Sequence, residues 1–447
     1  MKKLYLAATL SLIAVSLFSQ DFSGSRSGNY TGVNGVFSNP ASIADNRYRW
    51  NVNLFAFNGN LGNSQGTFSL GNLSTAFGND VDSFFFGNSN KESSAMGSMD
   101  LVGPSVMVNL GKNSFAITTR ARVLANIKDI DGNVIQSIDD DNDALPVTLS
   151  SNSNQKIIMN GWSEIGGSYG RVLYNQGPHF LKGGVTIKYL MGSTNNFANI
   201  NSLKGTLDED LVGDVYLTNA SGRVALGVSG IDLDMADGSD LLKAYGHGVG
   251  FDLGFIYEYR TGNDYKFKVG LSLMDLGSIR YKPEADEFGD YTINVPDGSH
   301  WYPGDLDGKS ISEVKTYLDA SPYFVNNAPN LSKYKANLPS TLQLTADWHI
   351  QNNFYAELAG QLSVVSKTDI YSSFYYNAIT LTPRYEGRKI GFALPINYNE
   401  LTNFNMGLSI RLGPCFIGSG SFLTALIGQS KQADLHFGVR FGGLQKR

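Results

Sequence analysis

Hydrophobic and polar positions alternate with a period of two through Ser340–Phe441. Leu342, Leu344, Ala346, Trp348 and Ile350 are interleaved with Thr341, Gln343, Thr345, Asp347 and His349. The pattern restarts with Phe354, Ala356, Leu358 and Leu362, set against Asn353, Glu357 and Gln361. Ile390, Phe392, Leu394, Ile396 and Tyr398 repeat it, as do Phe404, Met406, Leu408, Ile410 and Leu412. The final run sets Leu435, Phe437, Val439 and Phe441 against Asp434, His436, Gly438 and Arg440. Successive side chains of a strand point to opposite faces, so each run predicts a strand with one apolar and one polar face. The runs are about ten residues long. Soluble strands usually have about five or six, whereas a tilted strand crossing a bilayer needs roughly 9–11.

Alternation alone fits two folds. A soluble sandwich turns its apolar faces inward; a membrane barrel turns them outward to lipid. The polar face favours the barrel. It mixes Asp347, Glu357, Lys389, Arg411 and Arg440 with Gly, Ala and Ser, a combination suited to a crowded polar lumen.

Earlier in the chain the pattern is less clean. Asn51–Phe57 predicts a first strand, and Ser105–Gly111 and Ser114–Leu124 a hairpin across Gly111-Lys112-Asn113. Gly161–Leu173 pairs with Leu181–Met191, and Gly248–Arg260 with Tyr265–Met274. Leu211–Thr218 and Arg223–Ser229 form a weaker pair about Asn219-Ala220-Ser221-Gly222, after a polar connection from Gly192 to Asp210. Arg280–Tyr281 and Tyr291–Val295 suggest a small hairpin. Ser310-Ile311-Ser312-Glu313 is a capping-box pattern that opens a helix to Asp319, with Ile311, Val314 and Leu318 on its apolar side. Short turns thus alternate with long loops, the layout of an outer-membrane barrel. The links at 386–388 and 399–402 are consecutive and both short, so either a further strand exists or Pro414–Gly420 pairs as one. The expectation is an all-β transmembrane barrel of about 14–16 antiparallel strands with long external loops.

Met1–Ser19 reads as a secretory signal, with Lys2 and Lys3 before the apolar run Leu4–Phe18. The remainder, 20–447, is expected to be one barrel domain. No later stretch reads as a membrane helix: the most apolar, Leu408–Gly428, contains Arg411 and Pro414. An exported chain of long amphipathic strands then has a closed barrel as its natural membrane solution. Charged residues make up only 17%, below the ~25% of soluble domains. The net charge of −5 argues against a nucleic-acid partner. Cys415 is the single cysteine, so no intrachain disulfide is possible.

Candidate chemistry is sparse. His179, His247, His300, His349 and His436 stand apart, none with a partner at metal spacing. Gly62-Asn63-Ser64-Gln65-Gly66 has the nucleophile-elbow spelling but lacks the flanking strand and helix pattern. Asp139-Asp140-Asp141-Asn142-Asp143 departs from a calcium loop, with Ala144 and Ser150 where Gly and Glu belong. No catalytic residue, metal ligand or cofactor is expected. Trp50, Trp162, Tyr189, Tyr257, Tyr259, Tyr265, Trp348 and Tyr398 lie near strand ends, where a membrane interface would place Trp and Tyr.

Three segments carry a family resemblance: Asn39-Pro40-Ala41, the hairpin from Thr382-Pro383-Arg384-Tyr385-Glu386 to Leu394-Pro395, and Arg411-Leu412-Gly413-Pro414 with Phe416-Ile417-Gly418-Ser419. With these the chain resembles a family of uncharacterised Bacteroidota outer-membrane barrels catalogued as a domain of unknown function. That family is in turn similar to FadL-type transporters of hydrophobic compounds and to the type IX secretion shuttle barrel. The resemblance implies that Asn39, Pro40 and Ala41 belong to a short N-terminal plug of about 21–48 on the transport path. It also implies residence in the cell outer membrane, with lipid around the barrel. Passage of small hydrophobic or polar solutes is the first functional expectation. The second is a non-enzymatic barrel that holds a surface or secreted protein through its loops. A large apolar cavity beside Asn39–Asp45 would favour the first; a filled lumen with apolar loop surfaces would favour the second.

Overall fold

Every amphipathic run in the sequence must find a partner on both edges, because an unpaired strand edge is intolerable in a bilayer. The chain does this by closing a sheet on itself. In the computed structural model, which describes residues 24–26, 28–72, 92–131, 145–150, 154–230, 243–262, 264–282, 288–327 and 333–445, fourteen antiparallel strands form a closed barrel. The signal segment, the acidic run 139–143 and Ala144 of its calcium-loop comparison lie outside these residues. The first wall strand, Tyr48–Asn63, pairs on one side with Ser93–Val102 and Ser105–Leu110. On its other side it meets the last, Gln432–Leu444, with Phe57 opposite Phe437 and Asn58 opposite His436. Between these run Asn113–Ile130, Asn154–Gln176, the first part of His179–Glu209, Gly246–Thr261 and Asp264–Tyr281. Thr341–Gln351, Phe354–Ser363 and Ala378–Glu386 follow. Ile390–Asn399 and Asn403–Leu412 are each broken into two pieces, and Cys415–Ser419 completes the wall. This last strand keeps the alternation of turns and loops intact despite the short link at 400–402.

Prolines mark where the wall strands break. Pro104, Pro339 and Pro395 each separate two strand pieces, because proline has no N–H to offer the ladder. The tight turns collect at one end, with both termini of the barrel. There Gly177 (φ +57°) and Gly413 (φ +58°) take the left-handed conformation that favours glycine.

The faces settle the choice between sandwich and barrel. On Gly246–Thr261, Phe251, Leu253 and Phe255 are 49%, 41% and 41% exposed, while Asp252 and Glu258 are 4% and 5% exposed. The wall repeats this inverted pattern, apolar outside throughout and polar inside over its middle and turn end. So extensive an apolar girdle is incompatible with water and fits lipid. Trp50, Tyr259 and Trp348 face outward near the turn end, and Tyr189 and Tyr398 face outward near the loop end. Trp162 and Tyr265 do not join these belts; both are buried inside the barrel, because their positions fall on the inward parity of their strands.

The loop end departs from the sequence reading. Gly192–Asp210 is not a connection but the outer part of one long strand, His179–Glu209. Above the rim it pairs with Val215–Gly230, which pairs with Phe288–Val295, and that with Phe324–Asn326. The supposed turn at 219–222 lies inside the strand Val215–Gly230. Asn219 and Ser202, at φ +46° and +56°, accommodate a register shift there rather than a reversal. Tyr281 pairs with Gly246 and Tyr334, not with Tyr291–Val295. The helix Ile311–Ala320 has the expected capping box, and Val314 and Leu318 pack it onto Leu203, Leu217, Tyr291 and Phe324. The protruding sheet therefore has its own apolar core outside the barrel. Its hairpin tip is tied by Asp210, which accepts from the amides of Asp214 (3.0 Å) and Val212 (2.9 Å). Those two bonds hold its carboxyl below the usual carboxylate range.

Candidate functional site

Residues 24–26 and 28–47 lie inside the barrel at the turn end and occupy the lumen. Two short 3-10 turns, Gly32–Phe37 and Pro40–Ile43, shape the segment. Asn39 caps the second: its Oδ1 accepts from Ala41 N (2.9 Å), and Pro40 takes the first position, where no N–H is needed. The Asn39 amide also donates to the wall carbonyls of Phe255 and Leu271, both at 3.2 Å. Wall glycines make room. A Cβ on Gly184 would stand 2.4 Å from the Pro40 carbonyl carbon, and one on Gly254 2.1 Å from Asn39 Oδ1.

Ion pairs and hydrogen bonds fasten the segment around its circumference. Arg26 meets Asp100 (2.9 Å), Asp45 meets Arg260 (2.7 Å) and Arg47 meets Asp264 (2.8 Å). Lys182 donates to Ala44 O (3.0 Å), and Asn29 to both oxygens of Glu386 (3.0 and 2.7 Å). Val33, Val36, Phe37 and Ile43 form an apolar patch against Ala56, Val102, Met107, Ala116 and Phe416.

From the middle of the lumen to its turn end, charges from different strands neutralise one another. Asp275 accepts Arg122 (2.9 Å) and Lys188 (2.6 Å), and Lys188 also meets Asp252 (2.8 Å). Asp347 takes Lys268 (2.8 Å), Arg384 (2.8 Å) and the Tyr265 hydroxyl (2.7 Å). Asp100 also pairs with Arg120, and Glu258 with Lys182 (3.2 Å). Buried charges survive only when paired and hydrogen-bonded, and this belt meets that condition.

The loop end of the lumen is apolar. Leu124, Ile158, Trp162, Leu190, Ile279 and Leu338 face inward there. Residues 369–376 of the link between Phe354–Ser363 and Ala378–Glu386 fold down onto them. Phe374 is wholly buried, and Asn126 clamps its backbone, accepting from its N–H (2.9 Å) and donating to its carbonyl (3.1 Å). Lys156 donates to Ser372 O (2.7 Å), Asn160 to Ser373 Oγ (3.0 Å) and Arg122 to the Tyr375 hydroxyl (2.8 Å). The Tyr371 ring packs 4.7 Å from that of Tyr334. The lumen is thus filled from both ends. This inward loop was not anticipated from the sequence; its one local signal is the aromatic run Tyr371, Phe374, Tyr375, Tyr376 between two strong strands.

The other candidate residues are dispersed. His179 and His247 are hydrogen-bonded to Tyr257 and Tyr189 on the barrel exterior, and His300 stacks on Tyr216 at 3.8 Å. His349 bonds to Asn352 O (2.7 Å) at a turn. His436 meets Ser25 (2.8 Å) and Ser409 (3.1 Å), but it is 0% exposed, so no substrate carbonyl can approach it. Ser64 accepts from Ser94 N (2.9 Å) beyond the end of the first strand, with no elbow around it. Among the described residues, no group of three or more His, Cys, Asp or Glu is placed to hold a metal ion. No helix among them is long and apolar enough to cross a membrane.

Fold and lumen together define a class: a closed transmembrane β-barrel of the outer-membrane type whose lumen is stoppered from both ends. Within that class, the chain belongs to DUF5723, a family of unknown function whose model matches residues 40–420. No curated protein matches it. Several solved barrels are similar. A FadL homologue of Pseudomonas aeruginosa is 10% identical, with 94% of each chain covered and a TM-score of 0.43. The toluene transporter TbuX of Ralstonia pickettii is 10% identical, with 92% of this chain and 94% of that one covered and a TM-score of 0.41. A deltaS2S3 mutant of the TodX monoaromatic hydrocarbon channel is 10% identical, with 94% and 97% covered and a TM-score of 0.46. At such scores the likeness bears on no individual residue or solute of this chain.

Proposed function

We propose that the protein resides in the outer membrane and passes small solutes, apolar ones above all, through a lumen that is closed at rest. One observation carries this reading: the apolar lining of the loop end. Barrel lumens are normally polar. Here Leu124, Ile158, Trp162, Leu190, Ile279 and Leu338 line the lumen, and the aromatic side chains of 371–376 cover them. An apolar wall covered by a loop is a wall that an apolar solute can also cover once the loop lifts, at ~25 cal/mol per Å² of apolar surface removed from water. A solute seated there next meets the charged belt and then the N-terminal plug. Asn39, Pro40 and Ala41 act as the plug's latch on the wall, through the two hydrogen bonds from the Asn39 amide to wall carbonyls.

The test replaces 366–376 with a Gly/Ser linker. In planar bilayers the wild-type barrel conducts little and the variant conducts steadily. In proteoliposomes the variant takes up an apolar fluorescent probe faster. Unchanged conductance and unchanged uptake would defeat the reading. A second reading has its own observations: the lumen is filled from both ends, with no large apolar cavity beside Asn39–Asp45 among the described residues, and Leu211 and Val212 stand 107% and 81% exposed at the tip of the protruding hairpin. Those support a barrel that holds a surface or secreted partner. Under it, Val212→Asp abolishes the partner's retention on cells and leaves uptake unaltered.

A further inference from the structure

We propose that the turn end of the lumen is a binding site for a small oxyanion, a phosphate-like or carboxylate group, with Arg440 and Arg411 as its ligands. The argument begins with charge. Arg440 sits on the last wall strand and is 5% exposed. Among the described residues its guanidinium has no carboxylate within ion-pair reach, and its Nε has no hydrogen-bond partner. It lies over the Phe416 ring at 4.6 Å. Among the described residues Arg411, two strands away in the wall, is also without a carboxylate within ion-pair reach. It donates to the carbonyls of Gly387 (2.6 Å) and Arg388 (3.4 Å) and lies over the Tyr30 ring at 4.7 Å.

Elsewhere this barrel does not tolerate such a cation. Arg120, Arg122, Lys182, Lys188, Lys268 and Arg384 each face a carboxylate. Lys156 lacks one, but two carbonyl oxygens hold its amine, those of Asp369 and Ser372. Removing a cation from water costs several kcal/mol unless an anion or a full set of acceptors replaces the solvent. Arg440 has neither, and a second guanidinium nearby raises the cost. A fold that pairs its other buried lumen cations and leaves the buried Arg440, with the partly exposed Arg411 beside it, facing a crevice has a place for an anion supplied from outside.

Space and donors agree with that reading. Arg384, Arg411 and Arg440 line one crevice with Ser25, Tyr30 and Ser409, leaving about 40 Å³ free. One water needs roughly 10–15 Å³ on this measure, so a group of a few heavy atoms fits and a larger organic solute does not. The guanidinium fork matches the oxygens of a phosphate or carboxylate in pairs. Glu386 also lines the crevice and opposes an anion. Its charge is already taken up by Arg384 (3.0 Å) and the Asn29 amide (2.7 Å). The floor of the crevice includes Gly24 and Ser25 of the N-terminal segment, so an anion bound there would tie plug to wall.

The test uses the full mature protein in detergent micelles, with inorganic phosphate as probe at constant ionic strength against chloride. The temperature at which the barrel loses its compact gel mobility should rise with phosphate and saturate. Arg440→Gln and Arg411→Gln should each raise the half-saturating concentration about tenfold or more, as loss of a charge-assisted contact requires. Should Arg440→Gln not fold, Arg411→Gln, half-exposed near the rim, carries the test. Equilibrium dialysis with labelled phosphate should give one bound ion per chain. A response that does not saturate, or that is the same in the folded variants, would overturn the proposal. Acetate in place of phosphate reports whether the group is a carboxylate; saturation by either supports the site.

Discussion

Asp347 shows what single residues do in this lumen. It is 0% exposed, and it neutralises Lys268 and Arg384 while accepting the Tyr265 hydroxyl. Asp347→Asn keeps the shape and removes the charge, so two cations are left against a neutral amide. The expected loss is about 3–5 kcal/mol, the cost of breaking a buried pair from one side. It would be read as an earlier urea midpoint for the barrel in lipid vesicles. Replacing an exposed charge such as Lys335, which faces solvent at the loop end, should move the midpoint by less than ~0.5 kcal/mol. The contrast checks that the network, and not net charge, holds the lumen together.

At the scale of elements, two short segments fill the lumen, one from each end. The plug sits against glycine. Gly184→Val would drive a side chain into the Pro40–Ala41 backbone, which stands within 2.5 Å of the added Cβ. The wall cannot yield, so the plug should shift, and residues 24–47 should become cleavable by protease added on the turn side. Gly167→Val is the control, because nothing lies within 4 Å of its Cβ, and it should leave cleavage unchanged. The inward loop depends on one clamp. Asn126→Ala removes both bonds to Phe374, each worth about 0.5–1.5 kcal/mol. Loop release should therefore become roughly 5–150 times more frequent, counted as single-channel openings.

At the scale of the whole molecule, the inverted faces are the strongest constraint. Leu253 lies near the middle of its strand and points outward at 41% exposure. Leu253→Arg should cost about 2–4 kcal/mol in vesicles, as for arginine at the bilayer midplane. In a water-soluble fold, an exposed leucine could take the same change almost freely. Closure adds a second constraint. The first and last strands share a ladder from Tyr48–Leu444 to Gly62–Gln432, so the sheet has no free edge, and neither strand can be deleted without exposing one.

The sequence by itself determined most of the wall strands, their spanning length, the tight turns and the capped helix at Ser310–Glu313, but not the strand Ser93–Val102. Each of these depends on residues close together in the chain: a period of two, a glycine free to take positive φ, a serine three residues before a glutamate. The Asn39-Pro40-Ala41 segment was marked out by its resemblance to a family and not by any hydrophobic period around it. Only the tertiary structure decided which face looks outward. Alternation is identical for a sandwich and a barrel, and closure and solvent choose between them. The same holds for parity, which turned Trp162 and Tyr265 inward, and for Gly192–Asp210, whose polar residues look like loop until a neighbouring hairpin pairs with them. The charged belt was illegible for a plainer reason. Arg122 and Asp275 are 153 positions apart, and nothing local to either says that a closed wall will bring them together. The descent of 369–376 into the lumen has the same cause: a loop turns inward only when an apolar wall, built from strands far away in sequence, is there to receive it.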